Sequence, residues 1–379
     1  MHRRGTKLAG ALLAGTILLA ACGGGEEESA PAAQGGSAKE GLAGVCPDPV
    51  VLQTDWFPEP EHGGAYQLIG PGGEIDKEKG TYTGEIGDTG VNLEIRSGGP
   101  FIGFQQDSAQ MYQDEEILLG YVNTDEGVQN SARLPTKAIL APLEISPQIL
   151  MWDPETYDFS SFEDIGKSDA TVLYFEGGVF MDYLVGAGFI REEQIDGSYD
   201  GSPARFVSEG DIVQQGFATN EPYKFENDIK EWGRPVDYLL IHDSGYEFYT
   251  QTISVKPDDL ESERDCLELL VPIMQQAQVD YIKNPGPVNE ELLKIVEELD
   301  TFWTLSEGGN KYAVAQMKEL EVVSNGPNQT LGDFDMDRTQ AVVDLLNPIF
   351  EEKGVRTWDP EVTAEDIVTN EFIDQSIGL

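Results

Sequence analysis

The stretch VVLQTDWFPEPEHGGAY, residues 50–66, decides how the rest of the chain is read. Its first part, Val50 to Trp56, opens on Val50, Val51 and Leu52 and is the first strand signal of the chain. Pro58 and Pro60 end that run in a turn, and Gly63 to Ile69 then suits a short helix. A strand, a turn carrying polar and aromatic side chains, and a helix form the opening unit of an α/β domain. In open α/β sheets the strand's C-terminal end is where ligands bind.

Working outward, short apolar runs recur with helical stretches between them. Strands are expected near Val91 to Ile95, at Ile117 to Val122 and at Lys137 to Leu143, with a turn at Gly98-Gly99-Pro100 leading into a helix that holds Phe104 to Met111. A second group begins at Ala170 to Phe175, with a loop at Gly177-Gly178 and a helix start from Phe180. It continues with a strand at Asp211 to Phe217, a helix from Glu221 to Ile229 and a strand at Val236 to His242. Beyond Tyr249 the pattern turns helical, at Leu267 to Ile282, Asn289 to Phe302 and Arg338 to Glu352. The alternation predicts two α/β lobes with largely parallel sheets.

The N-terminus reads as an export signal. Arg3, Arg4 and Lys7 precede an apolar or small-residue run from Leu8 to Ala21, too short for a permanent span of about eighteen or more residues. Leu19-Ala20-Ala21-Cys22 matches a lipobox, so residues 1–21 are expected to be removed and Cys22 to carry lipid. An acidic tether rich in Ala, Pro, Gly and Ser would cover residues 22–47. Losing three basic residues and no acidic ones takes the net charge from −45 to −48, which repels nucleic acid and anionic headgroups. That charge is expected to form a solvated acidic coat, as in proteins adapted to high salt, and names no ligand. Cys46 and Cys266 remain as an even pair in an oxidising compartment and are expected to form a disulfide. The three histidines, His2, His62 and His242, have no metal-ligand spacing, so neither metal nor cofactor is expected.

From Asp55-Trp56-Phe57-Pro58 through His62-Gly63-Gly64-Ala65-Tyr66 the sequence resembles the bacterial solute-binding proteins for thiamin pyrimidine precursors, and more broadly the sulfonate, nitrate and riboflavin binders. Ala141 to Pro147, Gly216 to Tyr223 and Leu331 to Phe334 follow in the same order. The resemblance implies an α/β, two-lobed type II periplasmic-binding-protein fold with mixed, mostly parallel sheets and flanking helices. Lobe one would hold residues 48–141 and 250–379, lobe two residues 142–249, and two crossover segments would form the hinge. It also implies a monomer outside the cell, anchored only by lipidated Cys22, that passes a small-molecule ligand to ABC permease subunits. The same family includes a pyrimidine synthase that consumes its own histidine beside a cysteine-rich run. His62 stands at that histidine's place, but Ser244 to Thr250 holds no cysteine, so no catalysis is expected.

The candidate ligand residues are Trp56, Phe57, His62, Tyr66, Gly99, Tyr174, Glu176, Asn220 and Glu221. Aromatic rings can stack on a flat heterocycle while a few polar groups fix its edge. Each has a plainer alternative. Trp56 and Phe57 could be core, Gly98-Gly99 a simple turn, and His62 a capping or hydrogen-bonding residue. Asn220 and Glu221 could cap and favour a helix start. The leading expectation is an aromatic heterocycle, a thiamin pyrimidine precursor or a flavin. The alternative is a sulfonate or nitrate held by Arg96 or Arg205; a ligand-sensing surface lipoprotein without a transporter is a third.

Overall fold

In the computed structural model, which describes residues 41–379, β1 (Val50–Gln53) is buried at all four positions. The signal segment 1–21, Cys22 and the tether up to residue 40 lie outside the described residues. Both faces of β1 are covered because it runs through the middle of a seven-stranded sheet. The sheet's order is β2 (Glu74–Asp76), β3 (Thr81–Glu85), β4 (Asn92–Arg96), β1, β5 (Leu119–Val122), β12 (Thr252–Val255) and β6 (Lys137–Leu140). The second sheet has five strands, in the order β11 (Asp237–Leu240), β7 (Gln148–Trp152), β10 (Val213–Phe217), β8 (Val172–Leu173) and β9 (Ile195–Asp196).

Both sheets are mixed, with a larger antiparallel share than the strand–helix alternation suggests. Only β1 with its neighbours β4 and β5, and β8 with β9 and β10, pair in parallel. The antiparallel pairs have a chain-length cause: β2, β3 and β4 follow one another through turns too short for a crossover. Strand β12 enters from the second sheet and runs against both β5 and β6. The chain passes between the sheets through residues 141–147 and again through residues 241–251.

Helices cover the first sheet by close approach. Gly63 and Gly64 start the helix Gly63–Ile69, which packs on the helix Arg264–Lys283. A Cβ at Gly63 would lie 2.2 Å from the Tyr281 ring, and one at Gly64 only 1.9 Å from Gln278 Oε1. Both glycines are thus demanded by helix contact. Cys46 and Cys266 are joined in a disulfide with Cα atoms 4.8 Å apart, tying the entry of the domain to the start of that long helix. Leu42, inside the stretch read as tether, is fully buried in the same core. The helix Met336–Lys353, grouped with lobe one in the sequence, buries Val342, Val343, Leu346 and Phe350 in the other main core. It packs on both the helix Thr124–Asn130 and the helix Val179–Gly186. Among the described residues no helix is long and apolar enough to cross a membrane.

Candidate functional site

Where β1 ends, the backbone turns sharply into a cleft that is closed from the other side by the second sheet. The turn explains Gly98 and Gly99. A Cβ at Gly98 would sit 2.1 Å from the Thr54 carbonyl, and Gly99 has φ of +59°. Their N–H groups donate to the carbonyls of Trp56 and Asp55 at 2.9 and 3.1 Å. The structural-turn alternative therefore describes them, and those amides are not free for a ligand.

The cleft has a volume of about 160 Å³. Trp56, Phe104 and Trp303 come to it from the first-sheet side, Phe175, Phe180 and Phe217 from the second. Trp56 lies 5.9 Å from Trp303 and 6.0 Å from Phe104, and Phe104 lies 6.4 Å from Phe175 across the gap. The two sides touch directly. Gln106 Nε2 donates to the Gly177 carbonyl at 3.2 Å, the Thr219 hydroxyl donates to Glu61, and Gly201 leaves room for the Trp56 ring.

The polar lining is acidic. Asp55, Glu59, Asp107, Asp125, Glu126 and Glu221 all face the cleft, and among the described residues no lysine, arginine or histidine does so; Lys224 lies behind Trp303, 3.9 Å over its ring, and acts on Glu221 and Glu59 from outside the lining. Five of the six are nearly inaccessible, Asp55 being the exception. Burial raises Glu59 well above the usual carboxylate range, with Glu61 and Asp55 adding to it. Burial likewise lifts Asp125 and Glu126 to about 7 and raises Glu221. Most of these groups have internal partners. Asp125 accepts from Tyr246 Oη at 3.0 Å and from the Glu126 amide at 2.8 Å. Glu126 accepts from the Ser108 amide at 3.1 Å, and Glu221 from the Phe217 amide at 2.6 Å and Asn220 Nδ2 at 3.1 Å. Asp107 is different: it is 2% exposed and neither oxygen has a partner.

Behind Asp55 and Glu59 lies His62, fully buried and outside the cleft lining. Its Nε2 is 2.9 Å from Asp55 Oδ1 and 3.5 Å from Glu59 Oε1. One donor atom each from Asp55, Glu59 and His62 lies within 4.8 Å of the others, a set that could hold a divalent cation. Gln251 Nε2 already fills that role as a donor, reaching Asp55 at 3.2 Å and Glu59 at 3.0 Å. Gln251 adopts a φ of +51° on the second crossing segment, a left-handed conformation unusual for a side-chain-bearing residue.

Of the nine candidates read from the sequence, Trp56, Gly99, Asn220 and Glu221 line the cleft. Phe57 does not: it is fully buried and stacks on Trp303 at 5.7 Å, holding that ring from behind. Tyr66 is buried against Tyr82 in the first-sheet core. In the second lobe the register is displaced by one: Phe175 and Gly177 face the cleft, whereas Tyr174 packs on Phe180 and Glu176 points to solvent. Asn220 makes no helix cap; its amide holds Glu221 instead. The expected helix from Glu221 is one turn, Glu221–Tyr223, followed by a wider π turn, Lys224–Asp228. Arg96 pairs with Glu94, Asp114 and Glu116, and Arg205 with Asp196 and Glu209, all away from the cleft. Reading the sequence missed Trp303, Asp107 and Gln251, which reach the cleft from loops and helix starts far apart in the chain.

No protein-family model matches the sequence, and neither does any curated protein. Solved structures do match in shape. One is the ligand-binding component of an ABC-type import system from Staphylococcus aureus with zinc bound, at 9% identity over 86% of this chain and 98% of that one, with a TM-score of 0.52. Another is the alkanesulfonate-binding protein from Xanthomonas axonopodis pv. citri bound to MOPS, at 8% identity over 86% and 100%, TM-score 0.53. A third, from Candida albicans, is described as having the generic periplasmic binding protein fold, at 10% identity over 87% and 98%, TM-score 0.51. At these identities the likeness is one of fold: this chain has the two-lobed α/β fold of periplasmic binding proteins.

Proposed function

We propose that the chain is the extracytoplasmic solute-binding component of an ABC importer, tethered through Cys22, and that it captures a small nitrogen heterocycle between its lobes. The observation that carries this is the lining of the cleft: aromatic rings from both sides around a set of carboxylates, with no basic side chain in that lining among the described residues. Rings supply stacking, and carboxylates accept hydrogen bonds from the exocyclic amino group and ring N–H of an aminopyrimidine. A sulfonate or nitrate needs a cation or converging N–H donors. Here it would meet Asp55, Glu59 and Asp107, and the amides of Gly98 and Gly99 are already engaged. Size favours a single ring over a flavin, since a cavity of about 150 Å³ holds a benzene-sized guest. Closure around the ligand, with residues 141–147 and 241–251 as the hinge, would present the closed form to the permease.

A thermal-shift screen of thiamin pyrimidine precursors, riboflavin, taurine and nitrate tests this. A ligand at 100 times its dissociation constant stabilises the protein by about 2.7 kcal/mol. The expected result is a shift with a pyrimidine and none with taurine or nitrate. A shift with the anions alone refutes the heterocycle reading.

A further inference from the structure

We propose that Asp107 is the counter-ion for a protonated amine on the captured solute, so that the ligand class is an organic ammonium built on one small aromatic ring. This rests on the solute-binding reading of the cleft and specifies what that cleft selects. Asp107 opens the helix Asp107–Gln113, yet it takes no part in holding that helix or any neighbour, since neither of its oxygens has a hydrogen-bond partner. It is 2% exposed, so water does not replace those partners at the surface. An unsatisfied carboxylate at such a place is costly to keep. It is also among the residues that line a space shared with aromatic rings, where among the described residues no basic side chain joins the lining.

The groups facing Asp107 make the same demand. Asp55 and Glu126 both act on it with like charge, and together with burial they hold its carboxyl well above the usual range. A single ammonium placed there gives Asp107 the donors it lacks and offsets repulsion among all three acids. Its remaining surface can rest on aromatic rings, which attract cations over their faces. A neutral hydroxyl offers one donor and no charge, and a carboxylate or sulfonate adds a further like charge.

The matched probes are 4-amino-5-aminomethyl-2-methylpyrimidine and its 5-hydroxymethyl counterpart, which differ only in ammonium against hydroxyl. Titration calorimetry of the mature protein should find the amine bound about ten- to hundredfold more tightly, the range expected of a hydrogen bond to a charged group. In Asp107→Asn that gap should close, because the amine loses the larger share of its affinity. Equal affinities in the wild type, or a gap that survives Asp107→Asn, overturns the ammonium site and leaves the heterocycle reading intact. Binding of taurine with neither pyrimidine bound overturns both. A ligand-free readout stands beside these: the melting point of Asp107→Asn relative to wild type should rise from pH 5 to pH 9, because only the wild type loses stability as the buried carboxyl ionises. A relative melting point that stays constant or falls over that range would mean that the ionised carboxylate has a structural partner and would refute the proposal.

Discussion

Asp107 and Asp125 invite comparison because so much about them is alike. Each lies in the first turn of a seven-residue helix, each is 2% exposed, and each faces the same cleft. They differ in their partners: Asp125 is held by the Tyr246 hydroxyl and the Glu126 amide, and Asp107 by nothing. Burial alone therefore does not separate a structural acid from a binding one. A paired acid repays its desolvation inside the protein, whereas an unpaired one is held toward its neutral form until a ligand cation offsets its charge.

The largest effect expected from breaking this contrast is at Tyr246. Tyr246→Phe removes a hydrogen bond to a buried carboxylate and should cost about 1.5–3 kcal/mol. The loss should be fullest above pH 7, where Asp125 is ionised, and shrink near pH 5, where it is protonated; urea melts at the two pH values check it. The wild type carries the same sign. Asp125 and Glu126 titrate near 7 when folded and near 4 when unfolded. Their neutral forms therefore favour the fold below about pH 4, and that contribution is lost as pH rises toward about 7. Asp125→Asn with Glu126→Gln should flatten this part of the stability–pH curve.

Glu221→Gln comes next, with a loss of roughly 1–3 kcal/mol in ligand affinity where an acceptor becomes a donor. Unchanged affinity with a lowered melting point would assign Glu221 to holding the Phe217 amide alone. Trp303→Ala should weaken binding by about 1 kcal/mol or more through lost ring contact, measured by the same calorimetry. The smallest effect lies in the pH dependence of the unliganded protein: Asp107→Asn should remove a loss of stability that the wild type shows as pH rises and the buried carboxyl ionises. A variant that keeps the wild-type dependence would show that this carboxyl does not ionise in an unpartnered site.

What could be read from the sequence follows from how local each signal is. Strand β1, the turn after it, the long helices and the pairing of Cys46 with Cys266 rest on short apolar runs, prolines and a cysteine count. Strand β7, Gln148 to Trp152, was missed although Pro147 and Pro154 bound its run, because it directly follows the crossing segment and reads as part of it. The hairpin of β2 and β3 was hidden by the charged Lys77, Glu78 and Lys79 between its strands. The cleft was half legible. Trp56 and Glu221 stand at strand ends, where the sequence points. Trp303, Gln251 and Asp107 reach it through long-range packing that no local pattern encodes. Tyr66 and Phe57 misled for the same reason, since the rings that cover them, Tyr82 and Trp303, lie on other elements of the fold.

The central claim is that this cleft takes a cationic ring and rejects anions. Trp56 and Trp303 both line it, so their emission reports occupancy. Titrating 4-amino-5-aminomethyl-2-methylpyrimidine should change tryptophan emission saturably, at one equivalent per chain, with no response to taurine. A saturable response to taurine and none to the pyrimidine would contradict the account.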